Sequence, residues 1–524
     1  MAVLATATLA SLAALTLVTG TPSPPHRPLD EPGRGSTLPA TPATPATTQS
    51  PLAFPQLPAP AGPGVAASAA GRVVLRVHDV RGRRLTWSAF RALQSNGHGV
   101  GGYDDMLLDP SSLRVVRGWP LYAQGSDVAL DRPATPTALG FSWPSSQGYS
   151  TVILDLPRPG TYLLSDLMAT DAVRRTRAAL VARPGYRSSA RFRTTWRAAQ
   201  LALTAAHRAR AESERARLAW SAYDAAVRAD LLLLTEFGVQ FAAGHRSLHP
   251  AWGFTTDSSE AAGAASAAAA SIVRGSRRDG ALRIVFDRER SPASYAAAVA
   301  TAHRAGLRVV GQFLDSSAMA QISLAQWRSR VAAYVRGLPT VDVWEVGNEV
   351  NGDWLGRDVA AKVAFAAAYV KAHSRARTLV TLYWQLGQDT PQTSMFSWAR
   401  RYLTTSVLGR IDEIGVSIYP EQAPMGFALD RVITTLHSAF PRQRISITEL
   451  GYGSADLTHV WWWGSRTDPR GAARTAVADL YTRAVLGYRY SGGGTYWWYF
   501  PQEARPGSRL WTTFAAAYRA VAPR

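Results

Sequence analysis

A regular alternation of apolar strands and helical segments begins near residue 231 and continues to the end of the 524-residue chain. The eight strand-like stretches are "LLLLTEFGVQF", "ALRIVFD", "LRVVGQFL", "VDVWEVGNE", "LVTLYWQL", "IDEIGVSIYP", "ISITELGYG" and "GTYWWYF". Apolar strands that alternate with helices are typical of a parallel sheet covered by helices, and eight such units in roughly 290 residues match a closed barrel. The sequence therefore predicts an α/β fold, a (β/α)8 TIM barrel over residues 231–524.

The residues ahead of the barrel divide by composition. The apolar N-terminus resembles an export signal, although no Lys or Arg precedes it, so a mis-assigned start or an uncleaved anchor stays open. A Pro, Ala and Thr-rich stretch follows, then short β-rich runs between Gly and Pro turns, then arginine-rich helices. We predict an export signal at 1–22, a linker at 23–71, a small β-sandwich-like accessory region at 72–170 and a helical connector at 171–230.

No Pro/Gly-rich linker separates the connector from the barrel near Asp230. Domain boundaries usually fall in such linkers, so the accessory region and the connector are expected to pack against the barrel. The predicted export signal places the protein outside the cell or at its surface.

The composition excludes some kinds of chemistry. The chain contains no cysteine, so it has neither disulfides nor thiolate metal sites. The formal net charge is +20, from 57 Lys and Arg against 37 Asp and Glu. Almost every basic residue is an arginine within alanine-rich stretches such as "RARAESERARLAW", a pattern typical of solvated helix faces. We therefore expect no specific nucleic-acid partner and only weak association with anionic cell-surface polymers.

Two predicted strands carry a glutamate near their C-terminal ends. Glu349 closes "VDVWEVGNE", the fourth strand, and Glu449 lies in "ISITELGYG", the seventh. Active-site groups of such barrels lie at the C-terminal ends of the strands, so both carboxylates are expected at one mouth. A single glutamate there is also explained by a salt bridge, because an isolated buried carboxylate is costly. Two across one mouth indicate the paired carboxylates of glycoside hydrolysis.

The stretches "WEVGNE" and "ITELGYG" resemble the fourth-strand and seventh-strand signatures of clan A, the 4/7 superfamily of (β/α)8 retaining glycoside hydrolases. The resemblance covers residues 231–524. It implies that Glu349 is the acid/base, that Glu449 is the nucleophile and that Asn348 holds the 2-hydroxyl of the sugar. It also implies cleavage of β-glycosidic bonds in polysaccharides or oligosaccharides, a reaction that requires no cofactor.

Three further residues match the same family. Arg283 in "LRIVF" resembles the second-strand arginine that pairs with the nucleophile, and a barrel-stabilising ion pair is its structural alternative. Tyr419 in "GVSIYP" resembles the sixth-strand residue that hydrogen-bonds the nucleophile, and the alternative is a core tyrosine. Trp498 in "TYWWYF" resembles the eighth-strand tryptophan beneath the sugar, although the register also allows Trp497.

Other candidates lie outside these motifs. Trp461–Trp463 follow the seventh strand and are expected in a rim loop, either as platforms for sugar rings or as a plug for an apolar patch of the loop itself. His245 and His249 have helical spacing but lack a third ligand nearby, so we expect no metal.

The resemblance also implies different environments for the two acids. Glu349 is expected in a drier setting that raises its pKa, and Glu449 among donors that lower its pKa. Three other functions remain open: a non-catalytic carbohydrate-binding or cell-wall scaffold on the same barrel, a basic polyanion-binding protein, and a transglycosylase. The sugar and the linkage are not readable from these motifs.

Overall fold

The fold is described from a computed structural model. The structure describes residues 69–94, 105–245, 251–274, 279–387, 391–421, 423–452, 471–498 and 500–521. The predicted export signal, almost all of the predicted linker, Trp461–Trp463 and His249 lie outside the described residues.

The first part of the described chain contains two four-stranded sheets. Its elements are β1 (Ala69–Arg76), α1 (Trp87–Gln94), β2 (Met106–Leu108), β3 (Val115–Gly118), β4 (Tyr122–Gln124), β5 (Asp127–Pro133), β6 (Ala138–Ser145), β7 (Gly148–Asp155) and β8 (Gly160–Leu163). The sheets have the strand orders β4-β5-β1-β8 and β3-β2-β6-β7, and β8 alone runs parallel to its neighbour. This confirms a β-rich region ahead of the barrel, and it leaves β7 as an edge strand.

Three helices follow the sheets: α2 (Leu164–Val181), α3 (Ala190–Arg208) and α4 (Glu212–Gly244). Helix α4 runs through position 230, and it contains the stretch at 231–241 that the sequence predicted to be the first barrel strand. That strand prediction is wrong. Leucine favours helices, and α4 lies against α2, α3 and a barrel helix, so its apolar residues are buried on several sides. A short apolar run of this kind does not distinguish a strand from a buried helix.

The barrel predicted from the sequence is present. Its parallel strands are β9 (Ala251–Thr256), β10 (Gly280–Val285), β11 (Leu307–Gln312), β12 (Val343–Gly347), β13 (Arg377–Tyr383), β14 (Glu413–Ile418), β15 (Arg444–Leu450) and β16 (Ser491–Trp497). They are hydrogen-bonded in chain order, and β16 closes on β9. Seven of the eight strands coincide with predicted stretches, and the first is the short "AWGFTT".

Helices connect the strands: α5 (Ala262–Val273), α6 (Ala293–Arg304), α7 (Leu324–Gly337), α8 (Val359–His373), α9 (Met395–Tyr402), α10 (Thr405–Leu408), α11 (Leu429–Ala439), α12 (Ala472–Ala484), α13 (Phe500–Glu503) and α14 (Arg509–Ala520). Serine caps begin several of them, as Ser323 does for α7. None of the helices in the described part of the chain is long and apolar enough to cross a membrane.

The barrel interior changes from apolar to polar along the strands. One layer inside it is apolar and consists of Ala281, Val310, Val343, Leu379 and Tyr496. Side chains of a strand point alternately to its two faces, so the next inward positions lie two residues later. On β10, β11, β12 and β13 these positions hold Arg283, Gln312, Glu345 and Thr381. The polar layer therefore lies towards the C-terminal ends of the strands.

The connector and the accessory sheets pack against the barrel, as the missing linker predicts. Helix α4 approaches α12 so closely that a Cβ on Gly238 would lie 2.0 Å from the carbonyl oxygen of Arg483. Glycine at this mid-helix position is thus explained by close packing of two backbones. A second contact joins strand β7 to the loop that follows β14.

Candidate active site

Glu449 lies near the C-terminal end of β15 and is almost fully buried. The hydroxyl of Tyr419 donates to its Oε1 at 2.6 Å. Its Oε2 accepts from Nη2 of Arg283 at 3.0 Å and from Nδ2 of Asn348 at 3.3 Å. The structure thus brings together four of the residues predicted from the sequence, which come from four different strands or strand ends. Both oxygens of this carboxylate face donors.

Arg283 lies on β10 and is fully buried. Its Nε and Nη2 donate to the two carboxylate oxygens of Glu345 at 2.7 and 3.1 Å, in addition to the bond from Nη2 to Glu449. The hydroxyl of Thr381 donates to Oε1 of Glu345 at 2.6 Å. Such a two-pronged arrangement fixes the plane of the guanidinium group, so Glu345 holds Arg283 in place against Glu449.

Glu349 follows β12 and is 7% exposed. The hydroxyls of Ser316 and Ser417 donate to its Oε2 and Oε1 at 2.6 and 2.7 Å. Its backbone has a φ of 52°. This left-handed conformation is uncommon for a residue with a side chain, and residues held in it cluster at functional sites.

The pKa values of both acids are raised. Burial raises the pKa of Glu349, and the two serine hydroxyls oppose this rise. Burial and then the neighbouring charge of Glu349 raise the pKa of Glu449 to about 8, against the lowering effects of Arg283 and Tyr419. The donors expected around Glu449 are present, but the expectation that its pKa is lowered overall is wrong, because desolvation and a second carboxylate outweigh them.

Trp498 follows β16, and its backbone N–H donates to the carbonyl of Leu450 at 2.8 Å. Its half-buried ring lies over Arg283, with Cζ 5.3 Å from the ring centroid. Trp497 is fully buried, donates from Nε1 to Glu503 at 2.8 Å and packs behind the strand. Of the two registers left open by the sequence, the structure places Trp498 at the site.

Several buried polar atoms of the barrel strands and strand ends lack a hydrogen-bond partner among the described residues. They include Nη1 of Arg283, Oε1 of Gln312 and Oδ1 of Asn348. Leaving such groups unpaired costs about 1–3 kcal/mol each, and a ligand that carries many hydroxyl groups can satisfy both donors and acceptors. Gln312 was not predicted from the sequence.

An aromatic pair, the exposed Trp354 and the half-buried Tyr383, lies on the same side of the mouth as Glu349. Trp354 is in the short 3₁₀ turn Asp353–Leu355 of the loop after β12 and is 38% exposed. Its ring meets that of Tyr383, at the end of β13, edge to face with centroids 5.3 Å apart. The loop is held to β13 by Asn351, whose Nδ2 donates to the carbonyl of Tyr383 at 3.0 Å. The ring is therefore exposed but fixed.

Sequence reasoning missed Glu345, Ser316 and Ser417. Glu345 had a readable signal, because it lies two residues after an inward valine on a strand whose other residues are apolar. The two serines gave no such signal in the sequence, since small hydroxyl residues are common at strand ends and in loops. Across the ranges that the structure describes, no group of three His, Asp or Glu side chains is arranged to hold a metal ion.

No protein-family model and no curated protein matches this chain. Among solved structures, a GH113 beta-1,4-mannanase matches 51% of this chain and 98% of its own, at 11% identity and a TM-score of 0.34. The endo-1,4-beta-xylanase XylE of Penicillium canescens matches over 53% and 96%, at 14% identity and a TM-score of 0.34. A mandelate racemase/muconate lactonizing enzyme-like protein from Rubrobacter xylanophilus matches over 75% and 85%, at 11% identity and a TM-score of 0.28. Likenesses this distant say nothing about the chemistry of the chain.

Proposed function

We propose that this protein is a retaining β-glycosidase that acts on polysaccharides or oligosaccharides by a two-glutamate double displacement. The observation that carries the proposal is the pair Glu349 and Glu449, which are buried at neighbouring positions of one barrel mouth with different hydrogen-bond donors. Glycoside hydrolysis needs such a pair, one carboxyl as acid and the other as nucleophile.

The hydrogen-bond donors around each acid support different roles for Glu349 and Glu449. Glu449 faces a guanidinium, a phenol and an amide, all of which favour its charged form. The hydrogen-bond donors to Glu349 among the described residues are two neutral hydroxyls, in a buried setting. Burial raises the pKa of both acids, and we infer that the single proton kept by the pair lies on Glu349, which accepts no hydrogen bond from a cationic group among the described residues. Protonation of Glu349 also removes the neighbouring charge that raises the pKa of Glu449.

The reaction follows in two steps. Glu449 attacks the anomeric carbon while Glu349 transfers its proton to the glycosidic oxygen, which leaves with the bond electrons. Glu349, now charged, takes a proton from a water molecule that attacks the anomeric carbon and breaks the ester to Glu449. Glu349 is then protonated again, and the sugar is released with its original configuration.

We propose that Trp354 and Trp498 determine the orientation in which the substrate binds. The leaving group must lie beside Glu349, which protonates it, and Trp354 with Tyr383 borders that side. Trp498 follows β16, across the barrel from β12, and its ring lies over Arg283. Aromatic rings pack against the apolar C–H faces of sugars, so we propose Trp498 beneath the attacked sugar and Trp354 beneath the leaving group. The unpaired polar atoms of Asn348 and Gln312 are proposed to bind sugar hydroxyls.

Turnover of a panel of aryl β-glycosides and β-linked polysaccharides tests the proposal. The wild-type chain should hydrolyse at least one substrate, and Glu449→Gln should reduce kcat by several orders of magnitude. Glu413→Gln is the matched control, because Glu413 is also buried in the barrel but begins β14, at the opposite end of the strands. A wild-type chain that binds glycans without cleaving any of the panel would instead be a carbohydrate-binding scaffold.

Secretion remains a proposal, because the apolar N-terminus lies outside the described residues. A β-linked glycan outside the cell would be the substrate, and no cofactor is proposed. Transglycosylation would use the same first step with a sugar hydroxyl in place of water. The products formed in the presence of excess acceptor sugar separate the two outcomes.

A further inference from the structure

The loop that follows β14, of which the structure describes residues 419–421 and 423–428, is hydrogen-bonded to the accessory sheets. Thr151, on edge strand β7, donates to the carbonyl of Pro424 from its backbone N–H at 2.9 Å and from Oγ1 at 2.5 Å. Oγ of Ser150 accepts from the backbone N–H of Phe427 at 3.0 Å. The unpaired backbone groups of an edge strand need a partner, and this loop provides one.

The contact is close and buried. Ser150 and Thr151 are each 1% exposed. Gly426 has a φ of 49°, and a Cβ at this position would lie 2.1 Å from Oγ of Ser150. A side chain at position 426 would thus disturb both the loop backbone and its contact with β7.

The same loop carries Tyr419 at its start. The backbone N–H of Ala423 donates to the carbonyl of Tyr419 at 2.9 Å, and the Tyr419 hydroxyl donates to Glu449 at 2.6 Å. On its other side the Tyr419 ring lies against the backbone of Gly451, where a Cβ would lie 2.6 Å from Cε1. The ring therefore fits between the strand that carries Glu449 and the loop that the accessory sheet holds.

We propose that Ser150 and Thr151 are positioning residues for the reaction: by binding the loop at 423–427, whose Ala423 is hydrogen-bonded to Tyr419, they hold the Tyr419 hydroxyl against Glu449. The role given to Glu449 rests on the proposed function, whereas the contact itself does not. The accessory region then completes the active site without touching the substrate. This role explains why the accessory region is packed on the barrel. An independent sugar-binding module would not need such packing.

A separate contact keeps the accessory region docked. Arg431 on α11 donates from Nη1 to the carbonyl of Ile153 at 3.0 Å, and from Nη2 to the carbonyl of Pro110 at 2.8 Å and to Asp155 at 3.0 Å. Loosening the loop contact at Thr151 therefore leaves this attachment in place. Arg431 provides a control for interface changes that do not reach the loop.

The expected consequence is a change at Glu449. The charged and titratable groups around its carboxylate are Arg283 on β10, Glu349 after β12, Tyr419 after β14 and the nearby Asp315, with Glu345 behind Arg283. Of these, only Tyr419 depends on the loop. The hydrogen bond from Tyr419 lowers the pKa of Glu449, so a displaced hydroxyl should raise it.

The test is the double variant Ser150→Ala/Thr151→Val in the full chain. It should raise the pKa of Glu449 by roughly 0.4 to 1 unit, move the acidic limb of kcat/KM upwards by the same amount and lower kcat about threefold to tenfold, as expected for loss of one neutral hydrogen bond. The pKa of Glu449 is measured by carboxyl NMR with ¹³C-labelled glutamate, assigned with Glu449→Gln, and needs no substrate.

Three comparisons make the result decisive. Combination with Tyr419→Phe should add no further shift, because the effect passes through that hydroxyl. Thr151→Ser, which keeps the hydroxyl, should behave like the wild type. Arg431→Met should lower Tm without moving the pKa of Glu449. An unmoved pKa in the double variant, or a shift that adds fully to that of Tyr419→Phe, overturns the inference. Absence of wild-type turnover would overturn the proposed function, and the NMR titration would still decide this one.

Discussion

Nη2 of Arg283 lies 3.0 Å from Oε2 of Glu449 and joins β10 to β15 inside the barrel. The same guanidinium also binds both oxygens of Glu345. One buried positive charge is thus divided between two carboxylates. The electrostatic support that Glu449 receives depends on Glu345, which is no part of the proposed reaction.

Replacing Glu345 with Gln should therefore change the pH dependence of catalysis. With one anionic partner removed, Arg283 acts more strongly on Glu449 and should lower its pKa. The acidic limb of kcat/KM should move to lower pH by roughly one unit, as expected for a full neighbouring charge. Kinetics from pH 4 to 9 measure it. An acidic limb of kcat/KM that keeps its pH or moves to higher pH would show that Glu345 only aligns the guanidinium of Arg283.

Removal of the proposed nucleophile is expected to change the configuration of the product. Glu449→Ala should lower kcat by several orders of magnitude on every substrate, because the glycosyl ester has no carboxylate to form on. Azide is small enough to enter the space left by the side chain and should restore turnover with a product of inverted configuration. NMR of the anomeric proton identifies that product. A retained glycosyl azide from this variant would reverse the roles of the two glutamates.

Removal of the proposed acid has a different signature. Glu349→Ala should keep activity best on substrates with acidic leaving groups such as dinitrophenol, which depart without a proton, and azide should give a product of retained configuration. The variant also replaces a buried acid whose pKa is raised. We therefore expect an unchanged or higher Tm. If all leaving groups were affected equally and Tm fell, Glu349 would be structural.

The exposed Trp354 and the half-buried Trp498 are proposed to contact different sugars of the substrate. Trp354→Ala should raise KM for oligosaccharides about tenfold and leave aryl monoglycosides almost unchanged, because aryl substrates place no sugar on the leaving-group side. Trp498→Ala should impair both classes of substrate. Tyr402→Ala is the control, since Tyr402 is a partly exposed ring on α9 outside the site. Equal effects of Trp354→Ala on both classes would contradict the proposed direction of binding.

The sequence predicted seven of the eight barrel strands, and it drew attention to residues whose types are unusual in their place. Glu349 and Glu449 stood out because acids seldom end apolar strands, and Arg283 because its strand resembles the second strand of the clan A enzymes. The strand predicted for the run that begins at Leu231 was wrong for the opposite reason, because the composition of this run fits both a buried strand and a buried helix. Only tertiary packing against α12 decides for the helix.

The hydrogen-bond donors around the two acids were harder to predict from the sequence. Ser316 and Ser417 bind Glu349 only because the closed barrel brings their strand ends next to it. The net pKa of Glu449 depends on a balance between burial, Glu349 and Arg283 that no local pattern contains. The contact between Thr151 and Pro424 joins residues 273 positions apart. A strand edge and a loop give no sign of each other in the sequence.

The last prediction concerns stability and the buried acid Asp230 on α4. Burial, and then the charge of Asp430, raise its pKa from 3.8 to about 8. Between pH 4 and 8 the unfolded chain has released this proton while the folded chain retains it. Stability must therefore fall as pH rises through this window, and the full cost is reached above pH 8.

Asp230→Asn removes the titration and should make the protein more stable at high pH. Relative to the wild type, the gain should be small near pH 4, grow steadily with pH and reach on the order of 5 kcal/mol above pH 8. Denaturant unfolding at several pH values measures it, and Glu214→Gln is the control, because Glu214 lies exposed on the same helix with Arg217. A gain that did not change with pH would mean that Asp230 is charged in the folded protein, where the positive charge of Arg183 lowers its pKa.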